Sequence, residues 1–333
     1  MLRSLKAVLA SLILAGCAFH TSSAPQPATA GLPSGPSLPA HQPGESRFEV
    51  FPLDRVQDAT AIASDPYGSI WFTDYKTSRI GRVSGDKVVT FATPTRFSHP
   101  YDIVAAPDGN MWFTEWNGGR LGRITPDGTI TEKSAHDINY LYYICVGPDG
   151  ALWFTGAGTE SNVVGRMTVT GQQTKFLLPA SAGPGDITAG PDGRLWISGG
   201  DKIYRMTVTG SITLFKTIHD AYISGLVFGA DGDLWFWFHN QRGGFEIGRL
   251  TTAGVLTAFP LGPHHLVSDL ISAYGKIWAA YSDNFGDGVA EIGEDGTITK
   301  HFAPECYISH GLALGADGNI WFTCYKSIDA YLK

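Results

Sequence analysis

The chain has 333 residues, a hydrophobic share of 43%, 41 glycines and a formal net charge of −7. A nucleic-acid partner is excluded, because binding a polyanion needs a concentrated positive footprint that this acidic composition lacks. The apolar share is ample for a core, and the glycine content suits a turn-rich all-β protein.

Residues 1–16 carry Arg3 and Lys6 and then an apolar run from Ala7 to Ala15. The run is too short to span a bilayer and reads as a secretory signal. It ends in Leu14-Ala15-Gly16-Cys17, which resembles the lipobox of bacterial lipoproteins, where the cysteine is lipidated and becomes the mature N-terminus. Cys17 is therefore expected to anchor an exported protein to a membrane of the bacterial envelope. Residues 17–46 are rich in Pro, Ser, Ala and Gly without an apolar period, which predicts a disordered tether.

Over residues 47–333 seven tryptophans follow a near-constant ruler: Trp71, Trp112, Trp153, Trp196, Trp235, Trp278 and Trp321. Five sit in the text Asp-Gly-x-(aliphatic)-Trp, beginning at Asp108, Asp149, Asp192, Asp231 and Asp317; Tyr67-Gly68 and Tyr274-Gly275 open degraded copies. An Asp-Gly pair between apolar runs predicts a tight two-residue hairpin with positive φ at both positions. A third strand follows each of the first five tryptophans, as in Leu121-Gly122-Arg123-Ile124, and a fourth follows across another turn. Four short strands per repeat without helical periodicity predict a seven-bladed β-propeller. The last repeat stops after its third strand, so Arg47 to Leu53 is expected to supply the fourth and close the ring.

In such a ring the Asp-Gly turns share one face. The entries to the first strands and the exits from the second strands share the other, the mouth. Counting back equally from each ruler tryptophan places Thr60, Tyr101, Tyr142, Gly185, Ser224, Val267 and His310 at the entries. The exits add Asp74, Tyr75, Glu115, Trp116, Phe238, His239, Tyr281, Cys324 and Tyr325. Aromatic and acidic residues gather on blades one to three, an unevenness that structural repetition does not require and a ligand pocket does. The expected ligand-binding set is Asp74, Tyr75, Tyr101, Glu115, Trp116, Tyr142, His239, Tyr281 and Tyr325, suited to a small organic, sugar or peptide ligand. His264 and His265 are exposed loop residues near the same face in this reading. Cys306 and Cys324 fall on one face of blade seven and form a candidate disulfide in an oxidising compartment. The ruler tryptophans are assigned to packing between blades, and the Gly-Arg pairs to a structural salt bridge or a surface feature.

The segments Ala106-Pro107-Asp108 through Ile130-Thr131 and Gly147-Pro148-Asp149 through Met167-Thr168 carry a repeated text. It resembles that of the streptogramin B lyases, or virginiamycin B lyases, over all seven repeats. The resemblance implies elimination at the ester of a cyclic depsipeptide, using Mg²⁺, a histidine base and acids from the last two blades. Ser309-His310-Gly311-Leu312 matches the last-blade motif and makes His310 the candidate base. The other positions depart: the penultimate-blade histidine falls on Val267 or Ser268, and the acids fall on Ile308 and Cys324. The resulting expectation is a monomeric binding module without a required cofactor. The alternatives are a lyase using His310, with Mg²⁺ and with Asp74, Glu115 or the His264 and His265 pair recruited beside it, or a structural protein whose mouth is filled by Tyr101, Tyr142 and Tyr325.

Overall fold

The computed structural model describes residues 48–53, 56–158, 162–179, 182–240, 244–261, 266–303, 306 and 308–333. The signal, Cys17, the tether, His264 and His265 lie outside the described residues, as do the side chains of residues 308–310. All 28 elements are strands, arranged as seven four-stranded antiparallel sheets. Blade one is β2 (Ala59–Ser64) to β5 (Lys87–Ala92), and blade two is β6 (Pro100–Ala105), β7 (Met111–Glu115), β8 (Arg120–Ile124) and β9 (Ile130–Ser134). The pattern continues to blade seven, β26 (Ile308–Leu314), β27 (Ile320–Cys324) and β28 (Ser327–Tyr331). As expected, β1 (Phe48–Pro52) completes this last sheet, pairing Phe48 with Tyr331 and Pro52 with Ser327.

The ruler tryptophans are buried between blades, and their indole N–H groups explain the recurring aspartates. An N–H enclosed in a core needs an acceptor. Trp112, Trp153, Trp196, Trp235 and Trp321 each donate to the Asp four residues earlier, at 2.9 to 3.3 Å. In blades two, three and five the Arg of the third strand closes on the same carboxylate, at 3.1, 2.6 and 3.0 Å. In blade one the acceptor has moved: Asp65, six residues before Trp71, takes its N–H at 2.7 Å. In blade six no Asp is present, and Trp278 Nε1 is buried without a partner.

The turns correct the two-residue expectation. In blade two Ala106 N–H donates to Asn110 O and Gly109 N–H to Ala106 O, so Pro107-Asp108-Gly109 forms a longer loop. Only its glycine has positive φ, +76°. A type I turn followed by a left-handed glycine fits this pattern. Blade six, lacking the Asp, has the two-residue turn instead, with φ of 57° at Tyr274 and 70° at Gly275.

Between blades, side-chain oxygens do the joining. The Thr that ends Trp-Phe-Thr accepts from its own first strand and donates to the next blade. Thr73 takes Ala61 N–H at 3.0 Å and donates to Tyr101 O at 3.3 Å; Thr155 donates to Gly185 O at 2.8 Å. Three aspartates lining the axis add a second set. Asp102 accepts from Ile144 N–H at 2.8 Å, Asp186 from Leu226 at 2.7 Å and Asp269 from Leu312 at 2.9 Å. Blade two is thus clamped to three, four to five and six to seven.

Two expectations follow. Asp231→Ala leaves Trp235 Nε1 buried without an acceptor and should lower the unfolding free energy by about 1–3 kcal/mol in urea titrations. Burial holds the Asp102 and Asp186 carboxyls at about 7 and about 6, above the ordinary 3.8, and pushes Asp269 up as well. The native state keeps protons that the unfolded chain releases, so the contribution of these three groups to stability is full below about pH 4 and is lost as pH rises through 6 and 7. The urea midpoint should therefore fall across that window.

Candidate functional site

The first strands carry the mouth, and in six of the seven blades a register irregularity interrupts their pairing with the second strand, as between Pro100 and Ile103. The irregularity turns successive side chains toward the axis. They line a cavity of about 140 Å³ that includes Thr60, Tyr101, Asp102, Tyr143, Asp186, Ser224, Ser268 and Asp269. Tyr101 donates to the Tyr143 hydroxyl at 3.5 Å, which lies 3.5 Å from Ser224 Oγ. This chain links blades two, three and five beneath the mouth and leaves the cavity open. The three aspartates are partly wetted by the cavity although surrounded by protein. Their signal is legible in retrospect: Asp102-Ile103, Asp186-Ile187 and Asp269-Leu270 each precede a ruler tryptophan by nine or ten residues. Equal counting misplaced blade six, where Val267 is core at 3% exposure and its neighbour Ser268 lines the cavity.

Above the cavity the expected aromatic residues of blades one to three do come together. Tyr75 lies 6.3 Å from Tyr101 and 6.0 Å from Trp116 between ring centroids, and Tyr101 lies 5.8 Å from Tyr142. Two residues absent from the sequence expectation extend the arc. His99 stacks on Tyr75 at 4.7 Å, and Tyr140 meets Trp116 at 4.9 Å. His99 adopts positive φ, 52°, and its Nδ1 lies 2.9 Å from Tyr75 O. A strained non-glycine residue held by such a contact places the ring deliberately against its neighbours.

The other named residues are elsewhere. His239 belongs to a second aromatic group on blade five, 5.1 Å from Phe245. Tyr281 is enclosed at 2% exposure under Lys300, whereas Tyr325 is half exposed at the blade-seven exit. Asp74 is fully enclosed and accepts the backbone N–H groups of Gln57, Asp58 and Thr77, so it anchors loops. His310 belongs to β26 by its backbone.

Glu115 is also fully enclosed, and no donor reaches its carboxyl oxygens. It faces Glu132, which accepts Thr95 N–H at 2.8 Å and the Thr95 hydroxyl at 2.6 Å. Two neighbouring carboxyls in an enclosed site repel when both are charged. Burial first and the Glu132 charge second push Glu115 up to about 8, against Ser98 and Arg120. The pair sits under the Thr93–His99 loop that delivers His99 to the arc.

Cys306 and Cys324 are bonded, with Cα atoms 5.3 Å apart. The sulfur at the position of a family acid is thus already committed. Among the described residues one group of His, Cys, Asp or Glu converges to within 4.8 Å, namely Cys306, Cys324 and Asp329. Magnesium takes hard oxygen ligands, and Asp74 spends its oxygens on amides, so these residues do not fit Mg²⁺.

No curated protein matches the chain. A solved streptogramin B lyase superposes with a TM-score of 0.75 at 26% identity, covering 85% of this chain and 96% of that one. Virginiamycin B lyase from Staphylococcus aureus gives 0.75 at 27% identity, over 85% and 98%. A catalytically inactive variant of the S. aureus enzyme with quinupristin gives 0.74 at 24% identity, over 85% and 98%, a likeness of fold. The model of the Virginiamycin B lyase family matches residues 41–236, more than half of the sequence. With that match, the seven-bladed ring and its repeated Trp-Phe-Thr text, the chain belongs to the virginiamycin B lyase family.

Proposed function

We propose that this family member is an exported, lipid-anchored propeller that binds a ligand on the aromatic arc of blades one to three and does not carry out the family's elimination. The observation that carries the reading is the Cys306–Cys324 bond, which occupies the position of a family acid with sulfur already spent. Enclosure of Asp74 and Glu115 counts against them as substitute acids for the enzyme alternative, whose other candidates, His264 and His265, lie outside the described residues. Export rests on the apolar leader and lipobox, and a disulfide suits an oxidising compartment.

The arc offers flat, weakly polar surface with few charges, which favours a cyclic or planar organic ligand, a sugar or a peptide. Cyclic depsipeptides are the natural first probe, because related structures carry the lyase name and one contains quinupristin. The tether enters at Phe48, at the end of β1 remote from the Cys324–Ser327 turn of the mouth.

Incubation with a streptogramin B should give saturable quenching of tryptophan fluorescence but no linear product by mass spectrometry, with Mg²⁺ present or absent. Trp116→Ala should weaken binding at least tenfold. Linear product that disappears in His310→Ala would establish the lyase alternative. Binding should also fall as pH rises through about 8, where Glu115 loses its proton beside the Glu132 charge and the loop bearing His99 is released. Glu115→Gln, which stays neutral, should bind equally at pH 7 and pH 9.

A further inference from the structure

The third strand of blade seven breaks a rule that four blades keep. Opposite the Phe of the second strand, blades one, two, three and five place glycine, where an added Cβ would stand 2.0 to 2.6 Å from the ring. Blade seven places Asp329 opposite Phe322. The residue is 2% exposed, and its Oδ1 has no hydrogen-bond partner. An enclosed carboxyl with an unused oxygen is destabilising, so its presence in place of a glycine calls for a partner.

What it faces is sulfur. Cys324 and Asp329 lie on the same side of neighbouring strands, two positions apart in register, and Cys306 is bonded to Cys324. One ligand atom from each of the three lies within 4.8 Å of the others, and all three residues are buried.

We propose that reduction of the Cys306–Cys324 bond turns this corner of blade seven into a zinc site held by two thiolates and the Asp329 carboxylate. The reductant is a dithiol: it delivers two electrons and two protons to the sulfurs and leaves as its own disulfide. Zn²⁺ then displaces both thiol protons and binds the thiolates. Ligands at about 2.0–2.3 Å from zinc lie roughly 3.3–3.8 Å from one another, so the sulfurs part and the carboxylate, already within 4.8 Å of them, supplies the third ligand. Three protein ligands leave a fourth position for water. Thiolates select zinc over magnesium. The position where the family resemblance expects an acid has therefore passed from oxygen to sulfur chemistry, with the disulfide as a cap that excludes metal.

The test reduces the full chain with excess dithiol until alkylation and mass spectrometry count free thiols at positions 306 and 324. After anaerobic removal of the dithiol, Co²⁺ and then Zn²⁺ are titrated. The expected result is a thiolate-to-cobalt charge-transfer band saturating at one ion per chain, displaced by zinc and absent from the oxidised chain. Asp329→Asn should weaken zinc binding roughly tenfold or more. Asp329→Gly, the residue that four blades tolerate there, should give the same loss and guards against a folding defect. A band that survives in the Cys306→Ser, Cys324→Ser chain would belong to other thiols and overturn the proposal. So would a bond that resists reduction in the folded chain, the lack of a band after reduction, or unchanged affinity in both Asp329 variants.

Discussion

Side-chain oxygens, together with apolar clusters that span each gap, join one blade to the next where backbone ladders do not. Each sheet satisfies its own strands internally, so the ring depends on groups that reach across the gap. Thr73 and Thr155 do this near the mouth, and Asp102, Asp186 and Asp269 do it along the axis. The aspartates accept amides that an interrupted pairing leaves free. The irregularity that aims side chains at the cavity is therefore also what creates the donors that the clamps satisfy. Site and scaffold share one deviation from regular pairing, which is how a repetitive sheet can host an irregular pocket.

Much of this was legible in the sequence because structural roles repeat. The tryptophan period set the number of blades, and the incomplete last repeat indicated closure by Phe48–Pro52. Turn geometry was less legible. Asp-Gly suggested two residues with positive φ, yet the Asp is held by the tryptophan N–H it accepts, and the glycine alone turns. Asp65 shows the same demand met from a different position, which no fixed motif would find.

The site was legible in its aromatic part and obscure in its acids. Tyr75, Tyr101, Trp116 and Tyr142 are large enough to meet wherever their backbones converge. Acid positions depend on a one-residue offset at each irregularity and on which loop needs an anchor. Asp74 and Glu115 consequently sit inside, whereas three unremarked aspartates face the cavity. Blade seven carries the sharpest departures, with a disulfide and an enclosed carboxyl in one corner. A repeat keeps its glycine where a ring must lie flat, and exchanging it for a charge marks a position released from purely structural duty.

The pairing of Phe48 with Tyr331 has a consequence for how the chain is made. Six blades are built from neighbouring strands and can form in the order in which they are synthesised. The seventh joins the first strand to the last, a contact spanning nearly the whole propeller, and contacts of that separation form slowly. Until β28 is made, β1 has no partner and the blade-seven edge stays open. An incomplete ring in transit presents an unpaired strand edge, the species most prone to wrong association. Closure of the ring therefore waits on β28, the strand whose arrival gives β1 its partner.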